Sequence, residues 1–200
     1  NNLVSPEFYN QLFTMHGTTM IFLAVMPLSA MFFNYMIPLL IGARDVAFPR
    51  LNSLSYWVFL AGALFLNVSF LVGTPPDVGW FAYAPLTSKA FAPTHAVDYY
   101  VFGLQILGIS SMMAGFNFIV TIHRMRAPGL TWFRMPLFLW SMYATSLIMV
   151  LGTPVLAITV LLVAAERLFH FGFFDPAVGG DPVLFQHLFW FYSHPAVYIM

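Results

Sequence analysis

Five stretches of about twenty apolar residues, separated by short segments of Pro, Gly, Asp and Arg, constrain this chain more than any other feature. They run over about 13–41, 51–72, 99–122, 136–165 and from 182 to the last residue, 200. A run of that length matches the thickness of a lipid bilayer. Inside lipid the backbone can satisfy its own hydrogen bonds only as a helix or as a closed barrel. Alternating hydrophobicity is absent and the runs are long, so helices are expected. The predicted fold is an all-α, polytopic transmembrane helix bundle forming a single membrane domain over 1–200. Charge agrees: 60% of the 200 residues are hydrophobic and 7% are charged, against about 25% charged in a soluble domain. Seven Lys and Arg balance seven Asp and Glu, so lipid rather than nucleic acid is the expected partner. With no cysteine, a disulfide framework and a thiolate metal site are both excluded, and any metal must use imidazole or oxygen ligands.

The first residue is Asn1 and the last apolar run is still continuing at Met200. The chain is therefore expected to be an internal window of a longer subunit. No cleavable signal is visible.

Basic residues predict orientation. Arg44, Arg50, Arg124, Arg126 and Arg134 lie in the first and third connections, whereas Lys89 and Arg167 are the only basic residues in the second and fourth. The positive-inside bias places the first and third connections in the cytoplasm. Trp80, Phe81 and Tyr83 then fit an outer interfacial belt.

Polar groups at membrane depth are costly and mark interior faces or water paths. His16, in FTMHGTTM, is read either as hydrogen-bonded to a neighbouring helix or as an axial ligand to haem iron. Gly17 beside it would admit a flat macrocycle or another helix. In QHLFWFYSHPAVYIM, His194 and Tyr198 share one helical face at i, i+4, and the phenol leans back toward the imidazole. Either this is a buried hydrogen bond in an aromatic helix, or it is part of a metal site whose other ligands come later. Pro195 frees a carbonyl one turn earlier and invites a kink. His187 reads as structural. His95, His123 and His170 carry no assigned chemistry, and Asp98 is expected to cap the third helix. A third group is a polar track: Asn34 on the first helix, Asn52 and Ser55 on the second, Ser110, Ser111 and Asn117 on the third, with Asp45 at the cytoplasmic mouth. Such groups either bond helices together or order a chain of waters that carries protons.

The strings MHGTTMIFLAVMP, IGARDVAFPRLNSLSYW and FFDPAVGGDPVLFQHLFWFYSHPAVY resemble subunit I of cytochrome c oxidase, in the haem-copper oxidase superfamily. The resemblance covers the whole chain in the order of that subunit's second to sixth helices, of about twelve. It implies a terminal respiratory oxidase that transfers electrons from cytochrome c to O2, forms water and pumps protons. It implies two haems, of the A type, and copper. Residue by residue, His16 matches an axial ligand of the low-spin haem and His194 a copper ligand. Tyr198 matches the tyrosine that the family links to that histidine. Trp190 matches a tryptophan beside the copper, and Trp80 one near the haem propionates. Asp45, Asn34, Asn52, Ser55, Ser110, Ser111 and Asn117 match the family's D proton channel. Implied partners are subunit II with its dinuclear copper centre, subunit III, and cytochrome c or a fused cytochrome c domain. The implied location is the bacterial inner membrane.

One position departs from the commonest pattern of the family, GHPEVY. Ala196 stands where that pattern has a proton-relaying glutamate, and Tyr192 and Ser193 precede the histidine. This is similar to the bacterial subgroup with a YSHPxVY pattern, in which tyrosine and serine take the place of the glutamate. A side chain at 196 would lean over the turn holding 192 and 193, so both hydroxyls are expected to reach that volume. The rival readings are a nitric oxide reductase-like subunit, a cofactor-free multi-pass transporter or channel with buried histidines, and a structural membrane subunit.

Overall fold

The computed structural model describes residues 3–199. Among them are five long helices: α1, Pro6–Ile41; α2, Pro49–Leu71; α3, Ala96–Arg124; α4, Leu137–Phe169; and α5, Pro182–Ile199. The first four are long and apolar enough to cross a membrane. In α5, two histidines, a glutamine and two prolines dilute the apolar run, although it packs in the same bundle against α4. The chain is thus a multi-pass membrane protein.

Helix ends follow local chemistry. α1 begins earlier than the apolar run suggested because Ser5 caps it, accepting the Phe8 N–H at 3.2 Å, with Pro6 in its first turn. The segment it adds is too polar for a hydropathy criterion to find. α1 ends at Gly42, whose φ of 76° is open to glycine at little cost. Midway, Thr19–Val25 winds as a π-helix. Pro27, one turn on, cannot donate to the Leu23 carbonyl, so the regular ladder is interrupted there. α4 extends four residues beyond the expected end and closes on His170 in a left-handed conformation.

α3 packs against both α2 and α4, α5 packs against α4, and α1 contacts α3 and α4. In lipid no hydrophobic force drives helices together, so close packing and interhelical hydrogen bonds do the work. Glycines permit that approach. A Cβ on Gly103 of α3 would stand 2.9 Å from Leu66 Cδ1 of α2, and one on Gly115 would stand 3.1 Å from Met149 Cβ of α4. Large apolar side chains such as Tyr35, Trp57, Leu64, Leu151 and Ile158 point outward, as lipid-facing surfaces do.

Contacts sort the connections into two ends. At one end the Ala127 N–H donates to the Ile41 carbonyl at 2.8 Å, joining the first and third connections. At the other, Arg167 holds the loop between α2 and α3. The arginine-rich connections therefore share one end, as charge counting expected.

Candidate functional site

Two groupings of sequence-predicted residues emerge, one at the end away from the arginine-rich connections and one in the interior toward them. In the first, His16 is exposed on α1, and among the described residues no hydrogen bond takes up its ring. The neighbouring Gly17 lets the backbone approach Trp80, whose Cβ would lie 3.2 Å from a Cβ on that glycine. Thr14, one turn before, accepts the Gly79 N–H at 2.9 Å and anchors the same loop. Trp80 stacks edge-on with Trp190, ring centroids 5.7 Å apart, and packs on Phe189. Its carbonyl accepts the Tyr100 hydroxyl. Trp190 Nε1 donates to the Tyr83 hydroxyl. The two tryptophans and the loop that carries Trp80 thus form one wall between α1 and α5.

On α5, His194 Nε2 and the Tyr198 hydroxyl are 3.1 Å apart, with ring centroids 5.0 Å apart. This is the i, i+4 pairing expected from the spacing. Both side chains are exposed, Tyr198 by 66%. With Nε2 engaged, Nδ1 has no partner among the described residues, which leaves one imidazole nitrogen for a metal. No cluster of three or more His, Cys, Asp or Glu forms a metal site among the described residues. The donor set fits a single imidazole ligand at His16 and another at His194, with aromatic walls beside them, and it does not fit a complete cage.

The second grouping is a cavity of about 470 Å³ between α1, α2, α3, α4 and α5. Asn34, Asn52, Ser55, Ser110, Ser111 and Tyr192 all line it. Most of the polar track thus meets in one space, with Tyr192 of α5 in its wall. Asn34 donates to the Ala30 carbonyl at 2.9 Å, but its buried Oδ1 has no partner. Ser110 donates across to the Ser55 carbonyl at 2.6 Å, and Ser55 to the Asn52 carbonyl at 2.8 Å. The remaining walls are apolar, among them Phe22, Phe59, Leu107 and Met149. Ser193 is buried with an unpartnered hydroxyl, and Ala196 is buried.

Two track residues sit outside the cavity. Asn117 is fully buried and both ends of its amide clasp one residue: Oδ1 accepts the Phe48 N–H at 2.9 Å, and Nδ2 donates to the Phe48 carbonyl at 3.3 Å. Thr121, one turn later, accepts the Ala47 N–H at 2.8 Å. Together they fix the loop carrying Asp45, which is exposed and accepts the Val46 N–H at 2.7 Å.

Asp98 does not cap α3, contrary to expectation. Its Oδ1 accepts from Arg167 Nε at 2.6 Å, and its Oδ2 lies 2.8 Å from His95 Nδ1. Arg167 was counted as a basic loop residue. It lies within α4, 1% exposed, and also donates to the carbonyls of Thr87, Ala92 and Thr94. The longer α4 carries it inward. No sequence signal beyond the presence of one acid and one base on the same expected side could have paired them. His123, left without a role, lies with its Nε2 2.6 Å from the Tyr143 hydroxyl, and Arg126 sits 3.9 Å over the Trp132 ring.

The family described as Cytochrome C and Quinol oxidase polypeptide I matches residues 1–200. Cytochrome c oxidase subunit 1 of Bacillus sp. (strain PS3) is 48% identical over the whole chain, which covers 32% of that protein. Cytochrome c oxidase subunit 1 of Synechocystis sp. is 47% identical over 199 residues, covering 36% of it. Quinol oxidase subunit 1 of Bacillus subtilis is 46% identical over 200 residues, covering 31% of it. The chain spans about a third of the length of the relatives it matches.

Proposed function

This chain belongs to the Cytochrome C and Quinol oxidase polypeptide I family, and from that premise we propose that it is a five-helix part of the catalytic subunit of a terminal respiratory oxidase. In this reading the complete subunit, in a bacterial inner membrane, reduces O2 to water and moves protons outward. Two haems of the A type and a copper ion, when bound, supply the redox chemistry. His16 would hold the iron of one haem, and His194 would hold copper through Nδ1. Trp80 and Trp190 would wall the space for these groups. Subunits II and III complete the assembly.

The observation that carries this reading is the juxtaposition of His194 and Tyr198, 3.1 Å apart on an exposed α5 face. An imidazole whose Nε2 contacts a phenol keeps its tautomer and ring angle fixed, as metal-binding histidines require. Tyr198 can give a proton from its hydroxyl toward the face that His194 also presents. Protons would reach this region from Asp45, through Asn34, Asn52, Ser55, Ser110 and Ser111, to Tyr192 and Ser193. Asn117 serves this route by fixing the Asp45 loop. The apolar remainder of the cavity keeps competing polar groups away from any file of water. A proton crossing the full membrane field is worth about 2.3 kcal/mol per 100 mV, so the route must hold water without holding a fixed charge.

The donor is proposed to be cytochrome c or a fused cytochrome c domain. A quinol is the second reading, favoured by the 46% identity to a quinol oxidase subunit. Turnover of the full-length oxidase with reduced cytochrome c, and separately with a quinol, decides between them. The main test is a reduced-minus-oxidised spectrum with and without CO, together with copper analysis. Haem bands, a CO-binding component and copper are expected. His16→Ala should remove the low-spin haem signal and His194→Ala the copper. A colourless, copper-free protein would overturn the reading and leave a cofactor-free transporter or channel.

A further inference from the structure

The loop between α2 and α3 is fastened by side chains from four of the five long helices. From α1, Thr14 Oγ1 accepts the Gly79 N–H at 2.9 Å. From α3, the Tyr100 hydroxyl donates to the Trp80 carbonyl. From α4, Arg167 donates to the carbonyls of Thr87, Ala92 and Thr94. From α5, Trp190 Nε1 donates to the Tyr83 hydroxyl. The loop holds a shape that its backbone does not favour. Ala82 is buried and has a φ of 45°, a left-handed conformation that is costly for a residue with a Cβ. Such a conformation persists only where the surroundings impose it.

Among these fasteners Tyr100 acts on Trp80 itself. It is 1% exposed, and a buried phenol needs a hydrogen-bond partner. Its partner is the Trp80 carbonyl. The pair Gly79–Trp80 is therefore held at its leading N–H by α1 and at its trailing carbonyl by α3. Trp80 in turn lies against Gly17, next to His16: a Cβ on that glycine would stand 3.2 Å from both Cβ and Cδ1 of Trp80. Its ring packs on Phe189 and Trp190 of α5. We infer that Tyr100 is a positioning residue for the haem that His16 would hold: it pins the Trp80 wall beside His16, keeps water from that space and so raises the haem's reduction potential. A ferric haem carries one more positive charge than a ferrous one, and water stabilises that charge better than an aromatic wall does. A loosened wall therefore favours the ferric form. Solvent access is one of the levers by which a protein sets a haem's potential. This inference rests on the assignment of His16 to haem iron proposed above and adds a residue to it.

The test uses the full-length oxidase. Tyr100→Phe removes only the hydroxyl. Its low-spin haem should titrate at a lower midpoint potential than the parent's, and the Gly79 amide should exchange its hydrogen faster. Thr14→Val, which removes the acceptor on the α1 side, should shift the potential the same way, and Thr14→Ser should restore it. Tyr143→Phe removes a hydroxyl at the arginine-rich end, where it meets His123, and should leave the potential at the parent's value. A parent-like or higher potential in Tyr100→Phe, with faster exchange at Gly79, would overturn the inference, because the phenol would then only hold a loop. An equal shift in Tyr143→Phe would overturn it as well. Should Tyr100→Phe not assemble, the Thr14 pair decides: a Val variant with the parent's potential sinks the role. Failure of the underlying reading is distinguishable. It would show as a parent oxidase without haem, or as a low-spin haem that survives His16→Ala.

Discussion

Arg167 and the cavity are both buried polar features, yet they are opposites. The guanidinium of Arg167 is enclosed at one end of the bundle by a carboxylate and three carbonyls, all between 2.6 and 3.0 Å. In the cavity wall, Asn34 Oδ1 is buried and has no partner among the described residues. In a medium that offers no competing water, a group with four of its five donors engaged is a fastening. A group with bonds left open is a place for something mobile. The same residue types, read singly in sequence, give no hint of which is which. The difference lies in what surrounds them.

That contrast can be broken by mutation. Arg167→Leu should be the most damaging, since it leaves Asp98 with His95 alone and takes the shared donor from three loop carbonyls. A loss of about 3–5 kcal/mol is expected, measured as lowered unfolding resistance of the full-length subunit in detergent. A near-neutral result would remove the clamp from the argument. Asn117→Ala should cost about 1–3 kcal/mol, because the Phe48 backbone loses both amide contacts. Faster hydrogen exchange at the Ala47 and Phe48 amides is the specific sign, together with slower proton uptake from the loosened Asp45 loop. Asn34→Ala should cost only about 1 kcal/mol, given its one hydrogen bond within its own helix, but should retard proton uptake measured in vesicles. Asp45→Asn should shift stability by no more than about 0.5 kcal/mol, since Asp45 is exposed, while reducing pumping. Were Asn34 and Asp45 to matter for stability and not for protons, the cavity would join Arg167 as structure only.

How much was legible follows the range of each interaction. His194 and Tyr198 were readable because a helix brings i and i+4 together whatever else the chain does. The polar track was partly readable: Asn34, Asn52, Ser55, Ser110 and Ser111 do line one space. Asn117 looked the same on paper and instead grips a residue 69 positions earlier. Asp98 looked like a cap because caps are local, but its partner is 69 positions away.

By itself the sequence determined the helices, their membrane character, the grouping of the arginine-rich connections at one end and the imidazole–phenol pair. All of these depend on composition or on contacts within one or two turns. Tertiary structure alone decided which buried polar groups are fully bonded and which face a cavity. Those bonds join α3, α4, α5 and the loops across separations of tens of residues. Only packing settles whether a hydroxyl or guanidinium meets a partner there or meets space.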